Sequence, residues 1–139
     1  MKDSLFHGSN NLLKADKEGN VWLEPRVRDS YKFGKDIKGI SNITGGGFYE
    51  NIPRVLPEGV RASIDVSKIP QMPIFEILEK KGDIPIRDMY NTFNMGIGMA
   101  ITVSEGVADS VVSALRDTGE SPLVIGHCTS GDKGVDLIW

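Results

Sequence analysis

The chain has 139 residues, enough for one domain with a single sizeable core. Hydrophobic residues make up 40% and charged residues 25%, a balance that excludes an extended disordered chain. The net charge of −3 and a pI near 5.4 give no electrostatic reason to expect nucleic acid or an anionic membrane as partner. Cys128 is the single cysteine and cannot close an internal disulfide, so a reducing, cytoplasmic compartment is expected. The opening MKDSLFHGSNN turns polar at once and no long apolar run follows, so neither a leader nor a membrane span is expected.

Residues 1–41 carry the weakest signals. NNLLKADKEGNVWLEP has turn formers at both ends and one expected strand at Val21–Leu23. KFGKDIKGISN is short, charged and broken by two glycines, which predicts at most a brief helix. After Gly45 the pattern sharpens. FYENIPRVL puts Phe48, Ile52, Val55 and Leu56 on one helical face, with Pro53 bending or ending a turn. VRASIDV alternates as a strand does. MPIFEILEKKG opens on a proline suited to a first helical turn and stops at Gly82, and IRDMYNTF reads as a further short helix.

NMGIGMAITV predicts a strand with Met95, Ile97, Met99, Ile101 and Val103 on one face. Its other face, Gly96, Gly98, Ala100 and Thr102, is nearly bare, which lets a helix or a ligand approach the backbone. SEGVADSVVSALRDTGE predicts an amphipathic helix with Ser104 as N-cap, Val107, Val111 and Leu115 as its apolar row, and Gly119 at its end. PLVIGHC and VDLI then predict two strands joined by the hairpin-like turn TSGDKG. Helices and strands alternate without repeats, so the fold class is α/β or α+β, a mixed sheet covered by helices.

Chemistry concentrates at NITGGGFYENIPRVLP, residues 42–57. Main-chain N–H groups ahead of a helix have no partner in its first turn and carry partial positive charge, which suits an anion. Gly45, Gly46 and Gly47 would let a ligand touch the backbone, Thr44 adds a hydroxyl, and Asn42 an amide that donates and accepts. The competing reading is a tight strand-to-helix turn that binds nothing, since the Lys-Ser/Thr of a P-loop is lacking. Other candidates are weaker. His7, His127 and Cys128 match no zinc spacing, and Cys128 has no nucleophile context. Arg26, Arg28 and Lys32 read as a solvated charge run, and Asp83, Arg87 and Asp88 as the decoration of a helix start. No metal site is expected.

ITGGGFYENIPRVLPEG followed by MYNTFNMGIGM closely resembles the C-terminal domain of phosphoribosylformylglycinamidine cyclo-ligases, also called aminoimidazole ribonucleotide synthetases. PLVIGHC and GVDLI resemble that family's closing strands. The resemblance covers residues 39–138 well and marks residues 1–38 as a divergent segment, in which only Leu23–Pro25 looks like the family. It implies a part of an ATP- and magnesium-dependent enzyme of purine synthesis that closes formylglycinamidine ribonucleotide to aminoimidazole ribonucleotide. It also implies that ATP and Mg belong to an N-terminal ATP-binding domain absent from this chain, and that the chain has no cofactor and no activity of its own.

On this resemblance the glycine loop faces a cleft, and Asn42, Thr44, Gly45, Gly46, Gly47 and Asn91 are the substrate-binding candidates. Two departures bear on catalysis. Asn42 stands where the family usually has His, and Asn91 where it usually has Arg, so a titratable ring and a cation are both replaced by neutral amides. A non-catalytic relative, serving as a ligand-binding or interaction module, is therefore the alternative. Another activity of the wider superfamily, a kinase or a selenium donor, ranks behind both. A domain separated from its partner also exposes surface that self-association could bury, so a homo-oligomer is expected.

Overall fold

A computed structural model of the chain describes residues 13–15, 21–23 and 33–139. His7, Arg26, Arg28 and Lys32 lie outside the described residues. The chain forms two compact units, the first from 1–40 and 101–122, the second from 41–100 and 123–139.

In the first unit β1 (Leu13–Ala15) pairs antiparallel with β2 (Val21–Leu23), the strand expected at that place. Phe33, Ile37 and Val111 are its buried core, with Ile40, Ile101, Val103, Val107, Ala114 and Leu115 packed around them. Val107, Val111 and Leu115 recur every four residues, which sets them in one row from the turn before α4 (Ala108–Asp117) along that helix. The helix is entered through a 3-10 turn at Glu105–Val107, so Ser104 makes no capping bond from its side chain, contrary to expectation. Gly119 follows α4 in the left-handed region, at φ 91°.

Two strands contribute residues to each unit. β3 (Ile37–Asn42) and β5 (Met99–Val103) pair with each other, and bonds from Ile43 N–H to Gly98 and from Ser104 N–H to Asp36 show them antiparallel. Both elements correct the sequence reading. Within KFGKDIKGISN, Ile37–Asn42 is a strand and not a short helix; Ile37 and Ser41 are buried along it, and Lys38 and Gly39, which hide the pattern, sit between them. The expected strand from Met95 begins only at Met99. Asn94 Oδ1 accepts the Gly96 N–H at 3.0 Å, Met95 (φ 51°) and Gly96 (φ 92°) turn left-handed, and Gly96 therefore belongs to a turn and not to a strand face.

The second unit holds the larger core. α1 (Gly47–Arg54) buries Phe48 and Ile52, and Leu56 is buried just beyond its end, as the periodicity predicts, whereas Val55 is only half-buried; Pro53 lies one residue before the helix stops. β4 (Val60–Asp65) turns Ala62 and Ile64 into the core. α2 (Pro73–Gly82) begins on its proline and ends at Asp83 in a left-handed cap, and α3 (Ile86–Thr92) buries Met89 and Tyr90. Phe48 meets Tyr90 edge-on at 5.3 Å between ring centroids. Each such side chain, fully buried, contributes about 1.5–3 kcal/mol.

β6 (Gly126–Ser130) and β7 (Gly134–Ile138) complete a mixed sheet in the order β6-β4-β7. β6 runs antiparallel to β4 and β7 parallel to it. The expected hairpin of β6 and β7 is thus a chain reversal without a ladder between them, because β4 lies in the middle. Gly131 donates to the Gly59 carbonyl at 3.1 Å as the short connection passes the start of β4. α1 packs on β7 and β4, and α3 packs on α1. The fold is α+β with mixed sheets, as expected.

Candidate functional site

The glycine loop joins β3 to α1. Ile43, 1% exposed, anchors its first side and gives its N–H to Gly98 at 2.9 Å. Thr44 and Gly45 are exposed. The chain then turns left-handed at Gly46 (φ 91°) and Gly47 (φ 55°), and the Thr44 carbonyl accepts the Gly47 N–H at 3.0 Å. Gly46 is the residue before the helix, and its carbonyl accepts from Glu50 at 3.1 Å.

The three glycines are there for different reasons. A Cβ on Gly47 would run into the main-chain carbonyl of Tyr90, so α1 and α3 meet backbone to backbone at this point. A Cβ on Gly46 would strike the Glu50 side chain, and its positive φ already disfavours other residues. Gly45 has nothing within 4 Å of a Cβ position and no positive φ. Fold requires Gly46 and Gly47; it does not require Gly45.

Asn51, a residue the sequence reading passed over, holds the loop in place. It is 4% exposed on the inner face of α1, and its Nδ2 lies 3.4 Å from the Thr44 carbonyl, 3.2 Å from that of Gly45 and 2.7 Å from that of Gly47. Its Oδ1 accepts from Arg54 Nη1 at 3.3 Å. A buried amide with its donors and acceptor satisfied fixes a backbone at little cost. No signal in the sequence separates Asn51 from a solvent-facing asparagine, since Glu50 stands beside it.

The loop leaves a particular set of donors. Gly47 N–H is taken by Thr44, whereas the N–H groups of Gly45 and Gly46 bond to nothing among the described residues. The two open amides and the exposed Thr44 hydroxyl suit an anionic or carbonyl oxygen. Glu50 works against an anion, since its side chain lies beside Gly46 and its carboxylate is 3.6 Å from Arg54, which offsets part of the charge. Asn42 is exposed where β3 ends, and Asn91 is exposed on α3, whose main chain abuts Gly47. The fold therefore brings the Asn91 backbone to the loop.

The rival candidates resolve into structural parts. His127 is exposed on β6 opposite Ser63, and Cys128 beside it lies opposite Ala62. Burial pushes the Cys128 thiol up, away from a reactive thiolate. Asp83 caps α2, Asp88 sits in the first turn of α3, and Arg87 lies over the Tyr49 ring at 4.7 Å. Among the described residues no three His, Cys, Asp or Glu side chains gather as metal ligands, and no helix is long and apolar enough to cross a membrane.

A family profile described as "AIR synthase related protein, C-terminal domain" matches residues 3–138. The chain belongs to this family. The match starts within the segment 1–38 that the sequence reading set apart. Among curated members of the wider group, the phosphoribosylformylglycinamidine cyclo-ligase of Lachnospira eligens is 48% identical over 111 residues, covering 80% of this chain and 33% of that protein. The cyclo-ligase of Bifidobacterium longum subsp. infantis is 39% identical over 132 residues, 91% of this chain and 38% of its own. That of Brevibacillus brevis is 49% identical over 100 residues, 72% and 29%. This AIR synthase related domain thus spans about a third of the length of the curated relatives it matches. Its fold is also similar to thiamine-monophosphate kinase from Stenotrophomonas maltophilia K279a, with a TM-score of 0.56, 16% identity, and coverage of 81% of this chain and 35% of the kinase.

Proposed function

We propose that the chain is the substrate-side portion of a phosphoribosylformylglycinamidine cyclo-ligase, inactive by itself and working with an ATP-binding portion that lies outside it. The relatives' shared name and the third of their length that this chain matches support the reading. The observation that carries the site is Gly45: exposed, its N–H open, with neither a steric nor a conformational need for glycine. In this reading the amides of Gly45 and Gly46, with Thr44, hold an oxygen of the ribonucleotide, and Asn42 and Asn91 border it.

The chain's part in the reaction is to bind and orient. Fixed donors aimed at a reacting oxygen act without reorganising, and the Asn51 amide is what fixes them here. Asn42 and Asn91 have no proton to exchange near neutral pH, so neither serves as general acid or base. ATP would supply the phosphoryl group, and Mg²⁺ would offset the charge that its transfer develops. The described residues offer no carboxylate cluster that fits Mg²⁺, so both are assigned to the other portion.

A second reading rests on Asn42 and Asn91 themselves, which favour a non-catalytic relative that kept the loop. Titration calorimetry of the chain with formylglycinamidine ribonucleotide, inorganic phosphate and ATP separates the two. Micromolar binding of the ribonucleotide, and ATP hydrolysis dependent on it once an ATP-binding portion is added, is the expected result. Binding without restored hydrolysis in a well-folded pair moves the chain to the second reading. Silence with all three ligands removes the site. Thermal protection by thiamine monophosphate in preference to the ribonucleotide would instead favour a superfamily kinase role.

A further inference from the structure

One carboxylate stands among the open donors of the glycine loop. A Cβ on Gly46 would meet Oε2, Cδ and Cβ of Glu50, so that side chain folds back over the Gly46 α-carbon. The Glu50 N–H goes to the Gly46 carbonyl, which fixes the two residues one helical turn apart. The Gly46 N–H, attached to the same α-carbon, bonds to nothing among the described residues. A main-chain donor and a carboxylate therefore flank a single residue.

This carboxylate is hardly engaged within the fold. The Glu50 side chain is 55% exposed, and no hydrogen bond among the described residues ends on its oxygens. Its ion-pair partner there is Arg54 at 3.6 Å, and the same guanidinium turns Nη1 to Asn51 Oδ1. Both Glu50 oxygens thus keep accepting capacity toward a ligand. The group that suits this corner gives an oxygen to the amides and N–H donors, best of all cationic ones, to the carboxylate. A phosphate brings only acceptors and negative charge, which Glu50 repels.

Formylglycinamidine ribonucleotide, the ligand proposed for the loop, carries both groups. It has a formyl oxygen, and its amidine is a strong base that holds a proton near neutral pH and presents planar N–H donors as a guanidinium does. Ring closure joins an amidine nitrogen to the formyl carbon, so the conformer about to react brings these atoms to about 3–3.5 Å. We infer that Glu50 is a specificity-determining residue: in the bound ground state its carboxylate accepts from the amidine, while the Gly45 and Gly46 amides donate to the formyl oxygen. Both ends of the future ring are then held against one turn of backbone, and the phosphate of the ribonucleotide lies away from the start of α1. Resting on the proposed substrate-side role, this contact fixes which end of the ribonucleotide meets the loop.

Titration calorimetry of the intact chain with formylglycinamidine ribonucleotide and with formylglycinamide ribonucleotide, in which a neutral carbonyl replaces the amidine, tests it. The parent is expected to bind the amidine at least about tenfold more tightly, and Glu50→Gln to cut that preference to about twofold or less. Glu50→Gln keeps the length and shape of an exposed side chain, and matching far-UV circular dichroism shows that the fold is kept. Equal affinity of the parent for the two ligands overturns the inference and leaves the substrate-side role standing. A preference that survives Glu50→Gln unchanged also overturns it, since the amidine is then recognised elsewhere. Binding of neither ligand by the parent removes the inference and the substrate-side role together.

Discussion

At Gly47 a methyl group has no room, because the Tyr90 carbonyl of α3 already occupies the place it would take. The colliding atom is main chain and cannot swing aside, and φ is positive as well. Gly47→Ala should therefore destabilise by about 3 kcal/mol or more, read by denaturant unfolding. Asn51 is the other residue on which the loop depends. Asn51→Ala would leave the Thr44, Gly45 and Gly47 carbonyls without their shared donor, with an expected loss of about 2 kcal/mol in the same assay. Neither role could be read from residue type. Three glycines look alike in a sequence, and a buried asparagine inside an amphipathic helix is indistinguishable from a solvent-facing one until the loop folds over it.

Among the elements, those with local punctuation were legible. α2 starts on Pro73 and stops after Gly82, and β4 alternates, so period and breakers agree. β3 was hidden by Lys38 and Gly39 between its buried residues Ile37 and Ser41. The false start of β5 came from glycines at alternate positions, which mimic a strand until the Asn94 side chain bonds Gly96 and turns the chain. The separation of β6 and β7 depends on β4, about 65 residues earlier, and such long-range insertion leaves no trace in a turn sequence. The Arg61–Asp136 pair ties β4 to β7, and the hydrogen bond from Arg61 holds the Asp136 carboxyl below its ordinary value. A carboxylate whose folded pKa is lowered adds stability above its unfolded pKa, about 4, and loses it as pH falls through the folded one. Asp136→Asn should thus be less stable than the parent at pH 7, and the gap should narrow and vanish on acidification below pH 4. A gap independent of pH would contradict the pairing. Because the pair is exposed, the effect is small and salt should reduce it.

For the whole molecule, lineage was the most legible property, because the motifs at residues 42–57 and 89–99 are long and ordered, and the family match over residues 3–138 agrees with them. Present use is less legible, since it depends on how open the loop remains once folded. The structure divides the glycine run into two positions that shape the turn and one that faces outward. The proposed binding role therefore rests on Gly45. The direct test compares the chain with Gly45→Ala by calorimetry with formylglycinamidine ribonucleotide, with melting temperatures measured alongside. Open space around the added methyl group predicts an unchanged melting temperature and at least about tenfold weaker binding. Equal affinity in the two proteins, with both folded, would show that the loop only turns the chain.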